Sequence, residues 1–379
     1  MIYFDNSATT KPSQEVLDSF LTVSETYYGN ASSAHQFGLD ADKLLRKSHQ
    51  QAGQIMNVEP TEIIFTSGGT EGNNLAIKGV ALAYQKRGKH IITTTIEHPS
   101  VLSACQALEE LGFNVTYLPV NQSGVVEVES VKEALQADTI LVSIMHVNNE
   151  LGTIQPIKEI GELLKNRPTT YFHVDDIQGF GKISLDLKRS YVDLCSISGH
   201  KIHGLKGTGL LYVKEGIRLF PLFHGGGQQT DKRSGTENLA GIVSLVRAMR
   251  LITEQKLHHP EYLDHLNQQL RQRLQEIPEV VINTPEGQAP HILNFSIPAY
   301  KPEVVLHALE ENHIFVSTKS ACSSKRTDES AVLRAIQLPR ERTTSALRVS
   351  FSFQNTDGEI ELFVRVLKRI IKELSKVMG

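Results

Sequence analysis

Lys201 is the first residue whose type and setting point to chemistry. It ends the stretch Ser198-Gly199-His200-Lys201, where an apolar run from Val192 to Ile197 breaks into small and polar residues. Such a run reads as a buried strand. Lysine is rarely buried without a partner, and its amine forms Schiff bases when held deprotonated. The hydroxyl of Ser198 and the imidazole of His200 could hold an anion such as a phosphate. Together these features point to a lysine that carries pyridoxal 5'-phosphate. Lys201 reads equally well as a solvated lysine on a strand-to-loop turn.

Other stretches could supply partners. Phe65-Thr66-Ser67-Gly68-Gly69-Thr70-Glu71 reads as a strand, a glycine turn and a helix start. Backbone N–H groups at a helix N-terminus can approach a phosphate, although an ordinary tight turn has the same composition. The stretch is neither a Walker loop nor a dinucleotide fingerprint. A second strand ends in Asp175 and Asp176, followed by Gln178. An Asp there could pair with a protonated pyridine nitrogen, or it could cap a helix; two adjacent Asp residues leave the choice open. His98 lies just past another strand end, where it could stack on a ring or move a proton; a structural histidine is the commoner case.

Cys322 sits in a polar loop with Lys319, Lys325 and Arg326. Positive neighbours raise a thiol's thiolate fraction, whereas Cys105 on a helix face and Cys195 in a strand read as inert core. The glycine-rich stretch from Gly225 to Asn238, with Arg233 and Thr236, is costly to order unless something binds it. Arg348 alternates with apolar residues on a strand. It either captures a carboxylate through its planar fork or is a plain edge-strand arginine.

The elements that must position these residues alternate strand with helix. Strands are expected at 62–66, 90–95, 114–118, 139–145, 170–174, 192–197 and 209–213. This alternation predicts an α/β fold: a mostly parallel seven-stranded sheet with helices on both faces and ligands at the carboxyl ends of its strands. Residues 13–256 form the expected large domain. Residues 1–12 and 257–379 form a smaller α+β domain carrying the Cys322 loop at about 318–330. It ends in an amphipathic helix with Asp357 near its N-cap.

The chain has 379 residues, 40% of them hydrophobic and 21% charged, with a net charge of −3, which is the balance of a globular protein. Nothing argues for a nucleic-acid surface or a membrane span, and no leader is recognisable, so a cytoplasmic location is expected. The three cysteines imply no disulfide framework and have no metal-site spacing.

In order along the chain, these stretches resemble the cysteine desulfurases of the NifS/IscS type, in the class-V aminotransferase branch of fold-type-I pyridoxal-phosphate enzymes. The likeness runs from Tyr3–Thr10 to Ser345–Phe351. Its most specific parts are Ser198–Lys201, His146-Val147-Asn148-Asn149-Glu150-Leu151-Gly152, Arg233–Asn238 and Ser320-Ala321-Cys322. The resemblance implies that Lys201 holds the cofactor and moves the Cα proton. It implies that Asp175 pairs with the ring nitrogen, Gln178 bonds the ring hydroxyl and His98 stacks on the ring. Gly69, Thr70, Ser198 and His200 would hold the phosphate, helped by the partner subunit's Thr236 in a homodimer. Arg348 and Asn149 would hold the carboxylate of L-cysteine, and Cys322 would take its sulfur as a persulfide. A long loop around Cys322 implies delivery to acceptor proteins, for iron–sulfur cluster assembly or tRNA thiolation. A selenocysteine lyase, an aminotransferase or a non-catalytic sulfur-transfer scaffold are the alternatives. Three positions depart from the family pattern: Asp176-Ile177 for small residues, Lys319 for glycine, and Gln229-Thr230 for a Glu-Arg pair.

Overall fold

The computed structural model describes residues 1–318 and 329–378; Cys322, Lys319, Lys325 and Arg326 lie outside them. The strands, in chain order, are β1 (Ile2–Tyr3), β2 (Ile63–Thr66), β3 (His90–Thr94), β4 (Asn114–Leu118), β5 (Thr139–Met145) and β6 (Tyr171–Asp175). They continue with β7 (Leu194–Ser198), β8 (Gly209–Val213), β9 (Val281–Ile282), β10 (Ile292–Ser296), β11 (Ile314–Phe315) and β12 (Ala346–Ser350).

Seven strands form one sheet in the order β2-β8-β7-β6-β5-β3-β4. Only β8 runs antiparallel to its neighbours. Strands β2, β3, β5, β7 and β8 are buried along their whole length, and β6 along all but its first residue, as strands covered on both faces must be. Successive side chains serve opposite faces: in β8, Leu210 and Tyr212 join one apolar cluster while Leu211 and Val213 join another. The first cluster takes in the helices Gln14–Thr26, Gln36–Met56 and Leu239–His258; the second takes in Gly69–Tyr84 and Pro99–Glu109. The expected mostly parallel α/β sheet with helices on both faces is therefore present.

Two strands end one residue later than the apolar pattern predicts, and both extra residues matter. Asp175 stays in register opposite Met145, and Ser198 opposite Gly209. Backbone pairing outlasts hydrophobicity at the strand ends, so the polar residues of the site are strand residues.

A second sheet, β12-β10-β9, is antiparallel. With the helices Tyr262–Gln275, Pro302–Glu310 and Asp357–Met378 it encloses a separate apolar cluster. In the last helix Ile360, Phe363, Val364, Leu367, Ile370 and Ile371 all face that cluster. Asp357 is not the cap of this helix but lies inside its first turn. Thr356 caps it: its Oγ1 accepts from Glu359 N, and Glu359 Oε2 accepts from Thr356 N, a reciprocal capping box.

The N-terminal arm is stitched into this second cluster. Strand β1 runs parallel to β11, and Phe4 is fully buried with its ring edge-on to Phe351 (5.4 Å) and Phe363 (5.8 Å). Beyond Phe4 the arm crosses toward the carboxyl ends of the large sheet. Phe4→Ala should lower the unfolding free energy by about 3–5 kcal/mol, the usual cost of emptying a phenylalanine site, read by urea denaturation.

Candidate active site

A cavity of about 540 Å³ opens at the carboxyl ends of β2, β3, β5, β6 and β7. Gly69, Thr70, His98, Asn149, Asp175, Gln178, Ser198, His200, Lys201 and Arg348 all line it. Their meeting in one concavity decides several readings that sequence left open. Lys201 is not a solvated turn residue: its Nζ donates to the carbonyls of Ser7 and Ala8 (2.7 Å to the latter). Arg348 is on an end strand of its sheet, yet it is not a plain edge-strand arginine. It is 1% exposed, with Nη1 on the carbonyl of Asn149 (2.8 Å) and Nη2 on Asp5 Oδ1 (2.8 Å).

The phosphate-turn expectation has a steric basis. Gly68 takes φ +147°, which only glycine adopts readily, and starts the helix Gly69–Tyr84. A Cβ on Gly69 would stand 2.0 Å from Ile177 Cδ1, so the backbone reaches the cavity wall only without a side chain. The first N–H groups of that helix have no partner within it. Glu71 braces the turn: it accepts from Ser67 N (2.7 Å) and pairs with Arg233 (2.8 Å).

The two adjacent acids separate by strand alternation. Asp175 faces the cavity and accepts from Asn73 Nδ2 (2.7 Å) and Ile177 N (3.1 Å). Asp176 turns away and meets His146 Nδ1 at 2.6 Å. Burial lifts the Asp175 carboxyl to about 6, against the pull of its hydrogen bonds and of Lys201. Burial, and then Lys201, push His98 down to about 4; burial and the nearby lysines do the same to His200. Both imidazoles are therefore neutral near pH 7 and can act as N–H donors. Cys105 and Cys195 are fully buried, and burial raises both thiols, the first to about 12.

The residues fit pyridoxal 5'-phosphate. Among the described residues, Ser198 Oγ, Gln178 Oε1 and Arg348 Nε are buried without a protein partner, and all three residues face the same cavity. A buried polar atom without a partner is costly, and a phosphate, a ring hydroxyl and a carboxylate would each relieve one. Asp175 would supply the anion for a cationic ring nitrogen, and Lys201 the amine.

Thr236 of this chain does not line the cavity. It lines a neighbouring pocket of about 200 Å³ that shares Ser67 and Gly207 with it. Sequence reasoning missed Asp5 and Ser7–Thr9, because a short polar arm has no periodicity. It also missed Asn73, although the pair Asn73-Asn74 one turn into an apolar helix was visible. The departures at 176 and 177 find partners in His146 and Gly69. Among the described residues no cluster could hold a metal ion, and no helix is long and apolar enough to cross a membrane.

Glu97, beside His98, is 5% exposed, and burial lifts its carboxyl from 4.5 to about 8. A folded pKa above the unfolded one means stability that is complete below 4.5 and is lost as pH rises to about 8. Glu97→Gln should remove most of that decline, so the thermal midpoint of the cofactor-free variant should vary less with pH across this window than wild type.

The pattern of the class-V aminotransferases matches residues 2–363. The chain is 46% identical to the NifS/IcsS protein homolog of Lactobacillus delbrueckii subsp. bulgaricus, over 100% of this chain and 99% of that protein. It is 45% identical to the cysteine desulfurase IscS of Clostridium botulinum, over 98% of this chain and 94% of that protein. A solved NifS-like protein superposes with a TM-score of 0.92 at 37% identity, covering 98% of this chain and 99% of that one. The structure of SspA in complex with cysteine gives 0.82 at 34%, covering 93% and 99%. A cavity built for an amine-linked, anion-bearing ring, in a chain so matched along its length, places this protein in the aminotransferase class-V family.

Proposed function

We propose that the chain is a pyridoxal 5'-phosphate-dependent cysteine desulfurase that converts L-cysteine to L-alanine and moves the sulfur to Cys322. The observation that carries the reading is the single cavity joining Lys201, Asp175 and the buried fork of Arg348. When bound, the cofactor is an electron sink that acidifies the Cα–H of an attached amino acid. Lys201 would be the amine that holds it and the base that moves the Cα proton. Asp175 would keep the ring nitrogen protonated, and Gln178 would bond the ring hydroxyl. His98 would stack on the ring as a neutral imidazole. Gly69, Thr70, Ser198 and His200 would hold the phosphate, and the partner subunit's Thr236 would complete that site in a homodimer. Arg348 and Asn149 hold the substrate carboxylate.

The thiolate of Cys322 attacks the substrate sulfur. The new S–S bond forms as the C–S bond breaks, leaving a persulfide on the enzyme and the carbon skeleton of alanine. The flanks of the Cys322 segment support this role. Ser317 pairs with the backbone of Arg348 (2.6 and 3.1 Å), and Ser330 Oγ donates to Glu150 Oε2 (2.7 Å), next to Asn149. The persulfide then serves acceptor proteins of iron–sulfur cluster assembly or tRNA thiolation in the cytoplasm.

Alanine and sulfide release from L-cysteine, with a reductant, tests the reading. Wild type should turn over, and Cys322→Ala should not, while borohydride still traps cofactor on Lys201. Full activity in Cys322→Ala would sink the persulfide step. Arg348→Lys keeps the charge but loses the planar fork. It should raise KM for L-cysteine by roughly 10- to 100-fold, the value of a charged hydrogen bond, with a smaller change in kcat.

A further inference from the structure

At the cavity wall, Asp175 and His98 are joined by two residues that the roles above do not use: Ser100, which lines the cavity, and Asn73 behind it. Asn73 stands on the helix Gly69–Tyr84 and is fully buried; Ser100 stands in the first turn of Pro99–Glu109. Asn73 Nδ2 donates one hydrogen to Asp175 Oδ2 (2.7 Å) and the other to Ser100 Oγ (2.9 Å). Ser100 Oγ lies 2.8 Å from His98 Nδ1, and the backbone N of Ser100 also approaches that nitrogen (3.1 Å).

The directions of these bonds are forced. A carboxylate accepts only, so the amide of Asn73 must present its NH₂ to Asp175. That NH₂ donates to Ser100 Oγ, which leaves the Ser100 hydroxyl hydrogen for its other neighbour, His98 Nδ1. The backbone N–H of Ser100 can only donate, so Nδ1 must be bare. His98 is then held neutral with its hydrogen on Nε2. The polarity runs one way, from the amide to the imidazole on one side and to the carboxylate on the other.

We propose that Asn73 and Ser100 are positioning residues that make Asp175 and His98 one hydrogen-bonded unit, fixing His98 in its Nε2–H form while anchoring the carboxylate under the ring nitrogen. This deepens the cofactor reading above and rests on it. A ring bound between the two groups would need an anion on its nitrogen side and a neutral, fixed imidazole over its face. One amide supplies donors toward both requirements. Other charges act on the unit as well. Lys201 faces both His98 and Asp175, His200 lies near His98, and Asp176 and Glu97 lie near Asp175. None of them bonds to Nδ1, so the link through Ser100 is separable from them.

The test follows the His98 ring nitrogens by ¹⁵N NMR in the full-length chain freed of cofactor, the His98 signal being the one absent from His98→Gln. Wild type should show a bare Nδ1 and a protonated Nε2. Ser100→Ala should raise the pH at which His98 protonates by roughly half to one pH unit, the value of one neutral hydrogen bond. Asn73→Ala should raise it too, although Asn73 does not touch His98. The double variant should move it no further than Ser100→Ala alone, and Ser100→Thr should restore the wild-type titration. In the loaded enzyme, Asn73→Ala should also shift the pH titration of the cofactor's visible band, through Asp175. Asn73→Leu, which keeps the side-chain volume, stands in if Asn73→Ala does not fold. An unmoved His98 titration in the Asn73 variants, additive shifts in the double variant, or a protonated Nδ1 in wild type would overturn the proposal. The NMR titration needs neither cofactor nor turnover, so its outcome is distinguishable from failure of the desulfurase assay.

Discussion

A carboxylate almost wholly removed from water is the constraint around which this site is arranged. Taking one ion out of solvent costs several kcal/mol even after relaxation, and Asp175 is 5% exposed at the end of β6. Burial alone would keep it protonated, useless as the partner of a cationic ring nitrogen. The fold counters with the Asn73 amide, the Ile177 backbone N–H and the nearby charge of Lys201. Those groups arrive from the helix after β2, the turn after β6 and the turn after β7. Parallel strands bring them to one place because their carboxyl ends open on the same edge of the sheet.

The second cluster supplies what the sheet cannot. Strand β12 carries Arg348 into the cavity, while Leu347 and Val349 on either side of it anchor the strand in apolar packing. The arm that Phe4 pins to the same packing brings Asp5 to Arg348 and the carbonyls of Ser7 and Ala8 to Lys201. Two cations of the cavity, Lys201 and Arg348, are thus both held by a short segment from the opposite end of the chain. A substrate carboxylate at Arg348 would compete with Asp5 for the same guanidinium.

Much of this was legible in sequence. The strands are apolar runs of the right length, and their ends are marked by polar residues. The position of nearly every expected cavity residue followed from that pattern together with the resemblance. What periodicity could not supply was orientation and long-range contact. The arm has too few residues to show a period, and its partners lie more than 190 positions away. Asn73 reads as a defect in an apolar helix until its acceptors are known. The strand ends at Asp175 and Ser198 exceed the apolar runs because backbone pairing, not hydrophobicity, sets where a strand stops.

The pair Asp175-Asp176 shows why two like charges in sequence need not be two like charges in function. On a strand end, adjacent side chains leave opposite faces, so only one can reach the cavity. Asp176, on the far side, meets its own histidine at 2.6 Å, and the buried ammonium of Lys182 also draws its carboxyl down against the effect of burial. Lys182 in turn donates to the carbonyl of Lys201 (3.1 Å). The departure from small residues at 176 therefore does not add a second anion to the cofactor's side of the sheet. It places a balanced group of charges beneath the lysine turn. Ile177 obeys the same logic by volume, filling the space that a side chain at Gly69 would need. Asp176 and Ile177 are each matched by a neighbour whose chemistry or size they would otherwise upset, which leaves Asp175 and Lys201 in the surroundings their proposed roles require.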